Sequence, residues 1–458
     1  MPGVTKEEIR KRRTVLLDLV QQSNQSLTSD ESETSNVIVI PAASKKYMSE
    51  NIPYPFRQSS NFLYFSGSYD QDAFIVLTAT RNEQTHLYFL PDPDPMSELW
   101  DGPKTTPQAA MSHYGFNEAF YGSNFKAFID NFIRHSSSTV RLWCEDQIFL
   151  QNLLGPELVQ QFKSYASPTQ LIDSLRVVKS PSEIALMQKS CDIAAQSFTK
   201  AIQFCSQRVN SGTPISEHHI WAKMDYECRL MGAERLAYPP VVASGERAGV
   251  IHYIFNANKC NPDDVILVDA GCEFFGYCSD ITRTWPMKGK FSSDRHRSLY
   301  EMLYEMQVDL IKMTGPGITL DTVFKDMGDM LLKGLKELGI IELGPRFKWN
   351  SSNNSSEYAL RFCPHHVGHH LGMDVHDTST VDRRKPLAPG MVVTIEPGIY
   401  ISDNASQSPF LTKVGKEFVG IGMRIEDDVA ITENGNDVLS KNCPKSVRDI
   451  EQCAAQQS

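Results

Sequence analysis

The chain has 458 residues, of which 41% are hydrophobic and 22% are charged, and its formal net charge is −10. This length predicts two or three domains, and the composition is typical of a soluble globular enzyme rather than of a disordered chain. A mildly acidic chain does not favour binding to nucleic acid or to an anionic membrane, because both attract a basic face. No apolar run approaches the roughly 18 residues that a membrane-spanning helix needs.

The amino-terminal segment has no uncharged core after its basic cluster, and it contains two early glutamates. These features argue against a secretory signal and against an acid-poor mitochondrial transit peptide. The ten cysteines are scattered and none forms a CxxC pair, so we expect reduced thiols. The chain is therefore expected to be cytosolic or to have lost a targeting segment.

The first part of the chain carries short apolar runs rich in β-branched and aromatic residues, which predict buried strands. These runs are VIVIPA (37–42), FLYFSG (62–67), FIVLTA (74–79) and HLYFLP (86–91). The segment PDPDPMSELWDGPK (91–104) contains several prolines, which remove backbone donors and fix φ, so we predict an ordered loop there. Residues 1–171 are expected to form a mixed α/β domain.

The second part begins with a helix start signal, in which Ser180 to Glu183 form a capping box with proline at the first helical position. Apolar residues at spacings of three and four then predict a long amphipathic helix. Three further helices are expected over about 217–232, 299–310 and 323–335. Strand-like runs lie between and after them: VILVDAG, SDITRTW, MVVTIEPG and MRIEDDVAIT. Helices and strands in blocks predict an α+β fold.

Four acidic residues lie in or beside these strand-like runs. Asp269 ends the run VILVD, and Asp280 lies in the next run. Glu396 follows a third run, and Glu426 lies within MRIEDD. A charged group at the end of a buried strand is costly unless it is paired or bound to a metal. Asp269 and Asp280, brought side by side on neighbouring strands, would repel each other and require a cation between them.

A histidine-rich segment accompanies these acids, since five of the 12 histidines fall within residues 365–376, His369 among them. Four carboxylates with one imidazole favour Mn²⁺, Fe²⁺, Co²⁺ or Zn²⁺ over a sulfur-ligated structural zinc site. Such a set can hold two metals about 3.5–4 Å apart with an acidified water between them, a nucleophile suited to amide hydrolysis. Each residue alone also has an ordinary interpretation, as a turn residue, a surface charge or a core histidine.

Taken in order, the motifs VDAG, SDITRTW, HHLGMDVHD, TIEPGIY and MRIEDD resemble those of the pita-bread metallopeptidases, which include aminopeptidase P, prolidase and methionine aminopeptidase. The resemblance covers the whole chain. It implies a creatinase/prolidase-like amino-terminal α/β domain over residues 1–171 and a pita-bread catalytic domain over residues 172–458. It is greatest to the mitochondrial type of aminopeptidase P, on the motifs NIPYPFRQSSNFLYFSG, SELWDGP, LAYPPVVASG and CPHHVGHHLGMDVHD.

The resemblance implies a role for each of the five candidate metal ligands. Asp269 is expected to bind one metal, and Asp280 and Glu426 are expected to bridge the two. His369 and Glu396 are expected to complete the other metal. Glu396 is also expected to carry a proton between the attacking water and the departing nitrogen.

The resemblance also implies residues that contact the substrate. His252 and His376 are expected beside the scissile bond as catalytic and substrate-binding residues, and His365 is expected in the pocket for the penultimate proline. Tyr238 is expected to bind substrate. Arg424 is expected to bind substrate and to support the bridging glutamate. For His365 a packing role is the alternative, and for Arg424 a structural ion pair.

The function implied is that of a metal-dependent aminopeptidase, which releases the first residue from peptides with proline in second position. The cofactor implied is a pair of divalent metals, Mn²⁺ first, with Zn²⁺, Co²⁺ or Fe²⁺ as alternatives. Two activities with the same ligands stay open: an intermediate cleaving peptidase for imported mitochondrial proteins, and a prolidase restricted to dipeptides. A non-catalytic binding module is disfavoured because all five expected ligands are present. The family also implies a homodimer in mitochondria, with the cytoplasm as the alternative.

Overall fold

A computed structural model describes residues 2–27, 34–136, 139–162, 164–344, 358–401 and 410–456. The chain divides into two compact units, Met1–Arg176 and Val177–Ser458. The domain division predicted after residue 171 stays a prediction. Within the described residues, no helix is long and apolar enough to cross a membrane. All ten cysteines are buried thiols, as the sequence predicts.

The first unit combines eight described helices with eight strands. The helices are α1 (Lys6–Leu27), α2 (Ser60–Ser66), α3 (Pro95–Asp101), α4 (Pro107–Tyr114), α5 (Phe125–His135), α6 (Gln147–Leu154), α7 (Pro156–Val159) and α8 (Thr169–Arg176). The strands are β1 (Thr34–Pro41), β2 (Tyr47–Ser49), β3 (Ile52–Pro53), β4 (Phe74–Ala79), β5 (Gln84–Leu90), β6 (Glu118–Tyr121), β7 (Thr139–Trp143) and β8 (Ser164–Ala166).

Six of these strands form one mixed sheet in the order β6-β5-β4-β1-β7-β8. Strand β1 pairs antiparallel with β4 and parallel with β7. Its residues Val37 to Ile40 are all buried, which explains why its sequence is a continuous apolar run rather than an alternating one. The strands predicted at 37–42, 74–79 and 86–91 are confirmed as β1, β4 and β5.

The strand predicted at residues 62–67 is wrong, because this run belongs to helix α2. The side chain of Ser59 caps the helix by accepting a hydrogen bond from the backbone N–H of Phe62. Gly67 ends it in the left-handed conformation, with φ of 70°. A short apolar run does not distinguish a buried helix from a buried strand, and here the two caps decide.

The loop predicted at residues 91–104 is also wrong in part, because its centre forms helix α3. Pro95 is the first helical residue, where its missing N–H costs nothing. The side chain of Asp94 accepts a hydrogen bond from the backbone N–H of Met96, and Gly102 follows the last turn. Proline at this position therefore starts a helix rather than preventing one.

The second unit contains five described helices and eleven strands. The helices are α9 (Pro181–Asn210), α10 (Glu217–Leu230), α11 (Asp294–Met313), α12 (Leu320–Glu337) and α13 (Val447–Ala455). The strands are β9 (Arg235–Leu236), β10 (Val241–Ser244), β11 (Val265–Ala270), β12 (Cys272–Phe274), β13 (Tyr277–Cys278), β14 (Ile281–Pro286), β15 (Val392–Ile395), β16 (Gly398–Ile401), β17 (Ile421–Arg424), β18 (Asp427–Thr432) and β19 (Gly435–Val438).

The helix predicted after Ser180 is confirmed as α9, with the full capping box between Ser180 and Glu183. The other three predicted helices are confirmed as α10, α11 and α12. The strands form four small sheets, β10-β11-β14, β13-β12-β9, β15-β18-β19 and β16-β17. Helices and sheets in blocks confirm the α+β class. An isolated bridge between Thr282 and Glu426 brings the β14 region against the segment that joins β17 to β18.

Candidate metal centre

The first two predicted ligands are placed by the pairing of β11 with β14. These strands run antiparallel, with Asp269 opposite Thr282, and Asp280 lies just before β14. The hydroxyl of Tyr238 lies 2.5 Å from Oδ1 of Asp269 and 2.5 Å from Oδ1 of Asp280. A hydroxyl carries one proton and cannot donate to both oxygens at once. The two carboxylates therefore hold more negative charge than this neighbour can balance.

The other three predicted ligands surround the same point. Nε2 of His369 lies 3.4 Å from Oδ2 of Asp280 and 3.7 Å from Oε1 of Glu396. One ligand atom each from Asp280, His369 and Glu426 lies within 4.8 Å of the others, a spacing that suits a metal ion. The backbone N–H of Glu426 donates to the carbonyl of Thr282 at 3.0 Å, which fixes its position. The structure thus brings all five predicted ligands together.

Burial and mutual repulsion dominate the electrostatics of this centre. Burial, with the charges of Asp280 and Glu396 added, holds the pKa of Glu426 well above its ordinary value. Burial also raises the pKa of Asp269, and it raises the pKa of Glu396 to about 7. Burial alone would lower the pKa of His369, but the hydrogen bond with Asp280 and the charge of Glu396 raise it to about 9. A bound cation would offset this excess of negative charge, so the donor set fits divalent metals.

The buried Arg424 forms an ion pair with a carboxylate of the predicted ligands. Its Nη2 donates to Oδ2 of Asp269 at 2.6 Å, its Nε donates to Oγ1 of Thr282 at 3.0 Å, and its Nη1 donates to the hydroxyl of Tyr400. Oγ1 of Thr282 in turn donates to Oε2 of Glu426 at 2.7 Å. Arg424 therefore reaches the glutamate through Thr282 and contacts Asp269 itself.

Sequence reasoning assigned no role to three residues that hold these groups. Thr282 joins Arg424 to Glu426, Tyr400 joins Arg424 to the histidine segment, and Asp428 holds the backbone of Asp280. Oδ2 of Asp428 accepts the backbone N–H of Asp280 at 3.0 Å. For Asp428 the available signal was the two-residue period of MRIEDD, which puts alternate residues on the same face of a strand.

The three predicted substrate histidines lie close together beside the ligands. Nε2 of His365 lies 3.0 Å from the hydroxyl of Tyr400, and its Nδ1 lies 3.6 Å from Oε2 of Glu396. The ring centroid of His376 lies 4.5 Å from that of His369. His252 is exposed, and its neighbours Ile251 and Tyr253 pack against the apolar cluster that contains Tyr400, the partner of His365.

The protonation of these histidines follows from their surroundings. Burial, with the nearby charge of Arg424, lowers the pKa of His365 to about 3, so its ring is neutral at physiological pH. Burial also lowers the pKa of His376. A cavity of about 500 Å³ reaches His369 and His376, and His370 lies on its wall. This cavity offers space for part of a ligand beside His369, one of the five predicted metal ligands.

The profile of metallopeptidase family M24 matches residues 185–433, which is more than half of the chain. The chain belongs to metallopeptidase family M24. A second profile, the aminopeptidase P N-terminal domain, matches residues 9–142. The M24 match spans the segments that carry all five predicted ligands and the substrate histidines.

Known M24 relatives match over nearly the full chain. Human Xaa-Pro aminopeptidase 3 is 37% identical, covering 100% of this chain and 87% of that protein. The mitochondrial intermediate cleaving peptidase 55 of Arabidopsis thaliana is 34% identical over 98% of this chain and 83% of its own. The structure of Pseudomonas aeruginosa aminopeptidase PepP superposes with a TM-score of 0.84 at 29% identity, covering 99% of both chains. This likeness confirms the predicted fold, an aminopeptidase P amino-terminal domain followed by a pita-bread domain.

Proposed function

We propose that this protein is a metal-dependent Xaa-Pro aminopeptidase, which releases the first residue from peptides that carry proline in second position. The observation that carries the proposal is the convergence of four carboxylates and one imidazole in a member of family M24. The name of human Xaa-Pro aminopeptidase 3 supports the substrate class, and that of Pseudomonas aeruginosa aminopeptidase PepP supports an aminopeptidase. The neutral ring of His365 next to Tyr400 gives the site an uncharged wall suited to a proline ring.

In this proposal, Asp269, Asp280, His369, Glu396 and Glu426 hold two divalent cations. Asp280 and Glu426 would bind both cations, the role that the family resemblance implies for them. The oxygen-rich donor set favours Mn²⁺, with Zn²⁺, Co²⁺ or Fe²⁺ as alternatives. When bound, the cations would acidify a water for attack and polarise the scissile carbonyl.

The side chains around the cations divide the remaining work. The carboxyl of Glu396 lies between His369 and His365, where it can take a proton from the attacking water and pass it to the departing nitrogen. His252 and His376 contact the substrate beside the scissile bond. The hydroxyl of Tyr238 is directed at two carboxylates, so we propose that it orients these ligands, while its contact with substrate stays a prediction.

The proposed chemistry suits an Xaa-Pro bond for a reason that lies in proline itself. Its nitrogen carries no hydrogen, and its bond to the preceding residue is a tertiary amide. A peptidase that must bind the scissile N–H cannot use this bond. Attack on the carbonyl needs no such donor, so the loss of the N–H costs this site nothing.

One specific observation favours a second function, trimming of one residue from imported mitochondrial proteins. The Arabidopsis relative, which is 34% identical, carries the name of a mitochondrial intermediate cleaving peptidase. We propose the mitochondrial type and a mitochondrial location on this basis, with the cytoplasm as the alternative. A homodimer and a domain division after residue 171 belong to the same proposal.

The activity is tested with purified protein and added Mn²⁺ on an Xaa-Pro-Xaa tripeptide, with the chelated protein and Asp280→Ala as controls. We expect release of the first residue from the tripeptide and no release in either control. An Xaa-Pro dipeptide and a tyrosine-initiated peptide without proline, run in parallel, separate aminopeptidase, prolidase and intermediate cleaving activity. If none of the three peptides is hydrolysed with any reconstituted divalent metal, the proposed peptidase function is rejected.

A further inference from the structure

Apart from the predicted ligands, one buried carboxylate collects its hydrogen bonds from a single loop. Glu217 is the first residue of α10 and is 0% exposed. The loop comprises residues 245–258, between β10 and β11, and contains His252. We call it the His252 loop. A buried carboxylate is costly unless its oxygens are fully bonded, so the choice of its partners is informative.

Both oxygens of Glu217 are bonded to the His252 loop or to the residue before it. Oε1 accepts from Nε of Arg247 at 2.5 Å and from the backbone N–H of Ser244 at 3.2 Å. Oε2 accepts from the hydroxyl of Tyr253 at 2.8 Å and from the backbone N–H of Asn258 at 2.9 Å. The backbone N–H of Glu217 also donates to the carbonyl of Asn258 at 2.9 Å. One side chain thus holds the start, the middle and the end of the loop.

A second buried residue holds the same loop from within. Asn256 is 1% exposed, and its backbone is left-handed with φ of 50°. Its side chain accepts the backbone N–H of Val242 at 2.9 Å and donates to the carbonyl of Pro240 at 2.7 Å. The loop is therefore fastened to β10 as well as to the start of α10.

The loop turns neighbouring side chains in different directions. Ile251 and Tyr253 pack against the apolar cluster that includes Leu267 and Tyr400, whereas His252 between them is exposed. Tyr253 is therefore tied to Glu217 on its inner side while the adjacent His252 is presented outward. Because Tyr400 also bonds His365 and Arg424, the loop that presents His252 lies beside the metal centre.

We propose that Glu217 is a positioning residue that holds the His252 loop so that His252 meets the substrate. This inference rests on the proposed function, because the contact of His252 with substrate belongs to it. A displacement of about 1 Å can lower a rate by about 10²-fold, so a loosened loop is expected to weaken catalysis without unfolding the protein.

Tyr253→Phe provides the test, because it removes the hydroxyl bonded to Glu217 and keeps the ring in its apolar contacts. We expect kcat/KM on an Xaa-Pro-Xaa tripeptide to fall by about five- to tenfold with Mn²⁺ bound, since part of the positioning is lost. The same substitution is then made in a His252→Ala background. There we expect no further loss, because no imidazole is left to position.

The matched control is Tyr300→Phe, which removes a tyrosine hydroxyl elsewhere in the same unit, bonded to the carbonyl of Lys445 at 2.7 Å. We expect kcat/KM within about twofold of the parent protein in both backgrounds, because this hydroxyl does not touch the His252 loop. Glu217→Gln, which keeps the shape and changes one acceptor oxygen, is expected to lower kcat/KM more than Tyr253→Phe. If this variant fails to fold, the comparison of Tyr253→Phe in the parent and His252→Ala backgrounds still tests the positioning role.

The outcomes separate the inference from the proposed function. An equal fold-loss from Tyr253→Phe in both backgrounds, or no loss in either, overturns the positioning role and leaves the proposed function intact. A His252→Ala variant with unchanged kcat/KM overturns both the substrate role of His252 and the positioning role of Glu217. In that case Asp280→Ala still decides whether the protein is a metallopeptidase.

Discussion

Two consecutive buried acids have pKa values that are shifted in opposite directions. Glu426 and Asp427 are consecutive, and both are buried. Burial and the nearby acids hold the pKa of Glu426 well above its ordinary value. Burial would also raise the pKa of Asp427, but the charges of Arg283 and Lys445 outweigh it and hold that pKa below its ordinary range.

The difference arises from the alternation of side chains along an extended segment. The side chain of Glu426 lies with those of Asp269, Asp280 and Glu396. We call these four residues the carboxylate cluster. Asp427 faces the Asp427 cluster, whose other members are Arg283, Lys445, Gln307 and Ser440. There the carboxylate accepts hydrogen bonds from Nη2 of Arg283 at 2.7 Å and from Nζ of Lys445 at 2.6 Å. Unbalanced charge marks the proposed metal centre, and balanced charge marks a structural site.

The largest expected effect comes from Glu426→Gln, which removes one charge from the carboxylate cluster. We expect peptidase activity to fall to background with any added metal, because a proposed bridging ligand is lost. The stability of the metal-free protein should not fall, since repulsion among the remaining acids decreases. Activity assays and urea unfolding of the metal-free protein measure the two quantities. A large loss of metal-free stability would show that Glu426 is structural, like its neighbour.

Asp427→Asn should give the opposite result. The substitution leaves Arg283 buried, at 0% exposure, without its charged partner. Breaking a buried ion pair from one side costs about 3–5 kcal/mol, so we expect a loss of this size in the free energy of unfolding, with or without metal. Urea unfolding monitored by circular dichroism measures it.

The matched control for this variant is Asp382→Asn, which breaks an exposed pair with Arg384. Exposed pairs contribute little to stability, so the unfolding midpoint should stay unchanged. If Asp427→Asn behaves like this control, the Asp427 cluster does not stabilise the fold as its geometry indicates.

The contrast between these two acids also shows what could be predicted from the sequence. The strand-like runs and the acids that end them predicted the grouping of the carboxylates, and apolar spacing predicted helices α9 to α12. The dipeptide Glu426-Asp427 does not indicate which of the two side chains lies beside other carboxylates and which is paired with basic side chains. That depends on Arg283 and Lys445, which the sequence does not mark as partners.

Other parts of the site escaped prediction because they depend on contacts between distant segments. Oγ1 of Thr282 accepts a hydrogen bond from Nε of Arg424, which lies 142 residues away along the chain. A threonine hydroxyl that links an arginine to a glutamate produces no recognisable sequence pattern. In the first unit, α2 and α3 were missed because their caps, Ser59 and Asp94, outweigh the apolar run and the prolines. Local hydrogen bonds thus decided what periodicity left open.

The smallest expected effect is the pH dependence of stability that Glu396 of the carboxylate cluster contributes. Burial raises the pKa of Glu396 from its ordinary 4.5 to about 7. A carboxyl with a raised pKa keeps its proton in the folded protein when the unfolded chain has lost it. The stability it contributes is therefore full below about pH 4.5 and is lost as the pH rises to about 7, a change on the order of 3 kcal/mol.

Urea unfolding of the metal-free protein at pH 5 and pH 8 tests this dependence. Between pH 5 and pH 8 we expect a more unfavourable change in stability for the parent protein than for Glu396→Gln, which has no proton to lose. Buried histidines with lowered pKa values, such as His365, act in the opposite direction, but they do so equally in both proteins. Asp427 does not contribute in this range, because its lowered pKa confines its effect to pH values below its ordinary 3.8. If the change in the free energy of unfolding between pH 5 and pH 8 is the same in Glu396→Gln as in the parent, a group other than Glu396 is responsible for it. Added Mn²⁺ should stabilise the parent protein more at pH 8 than at pH 5, because cations bind the deprotonated carboxylates.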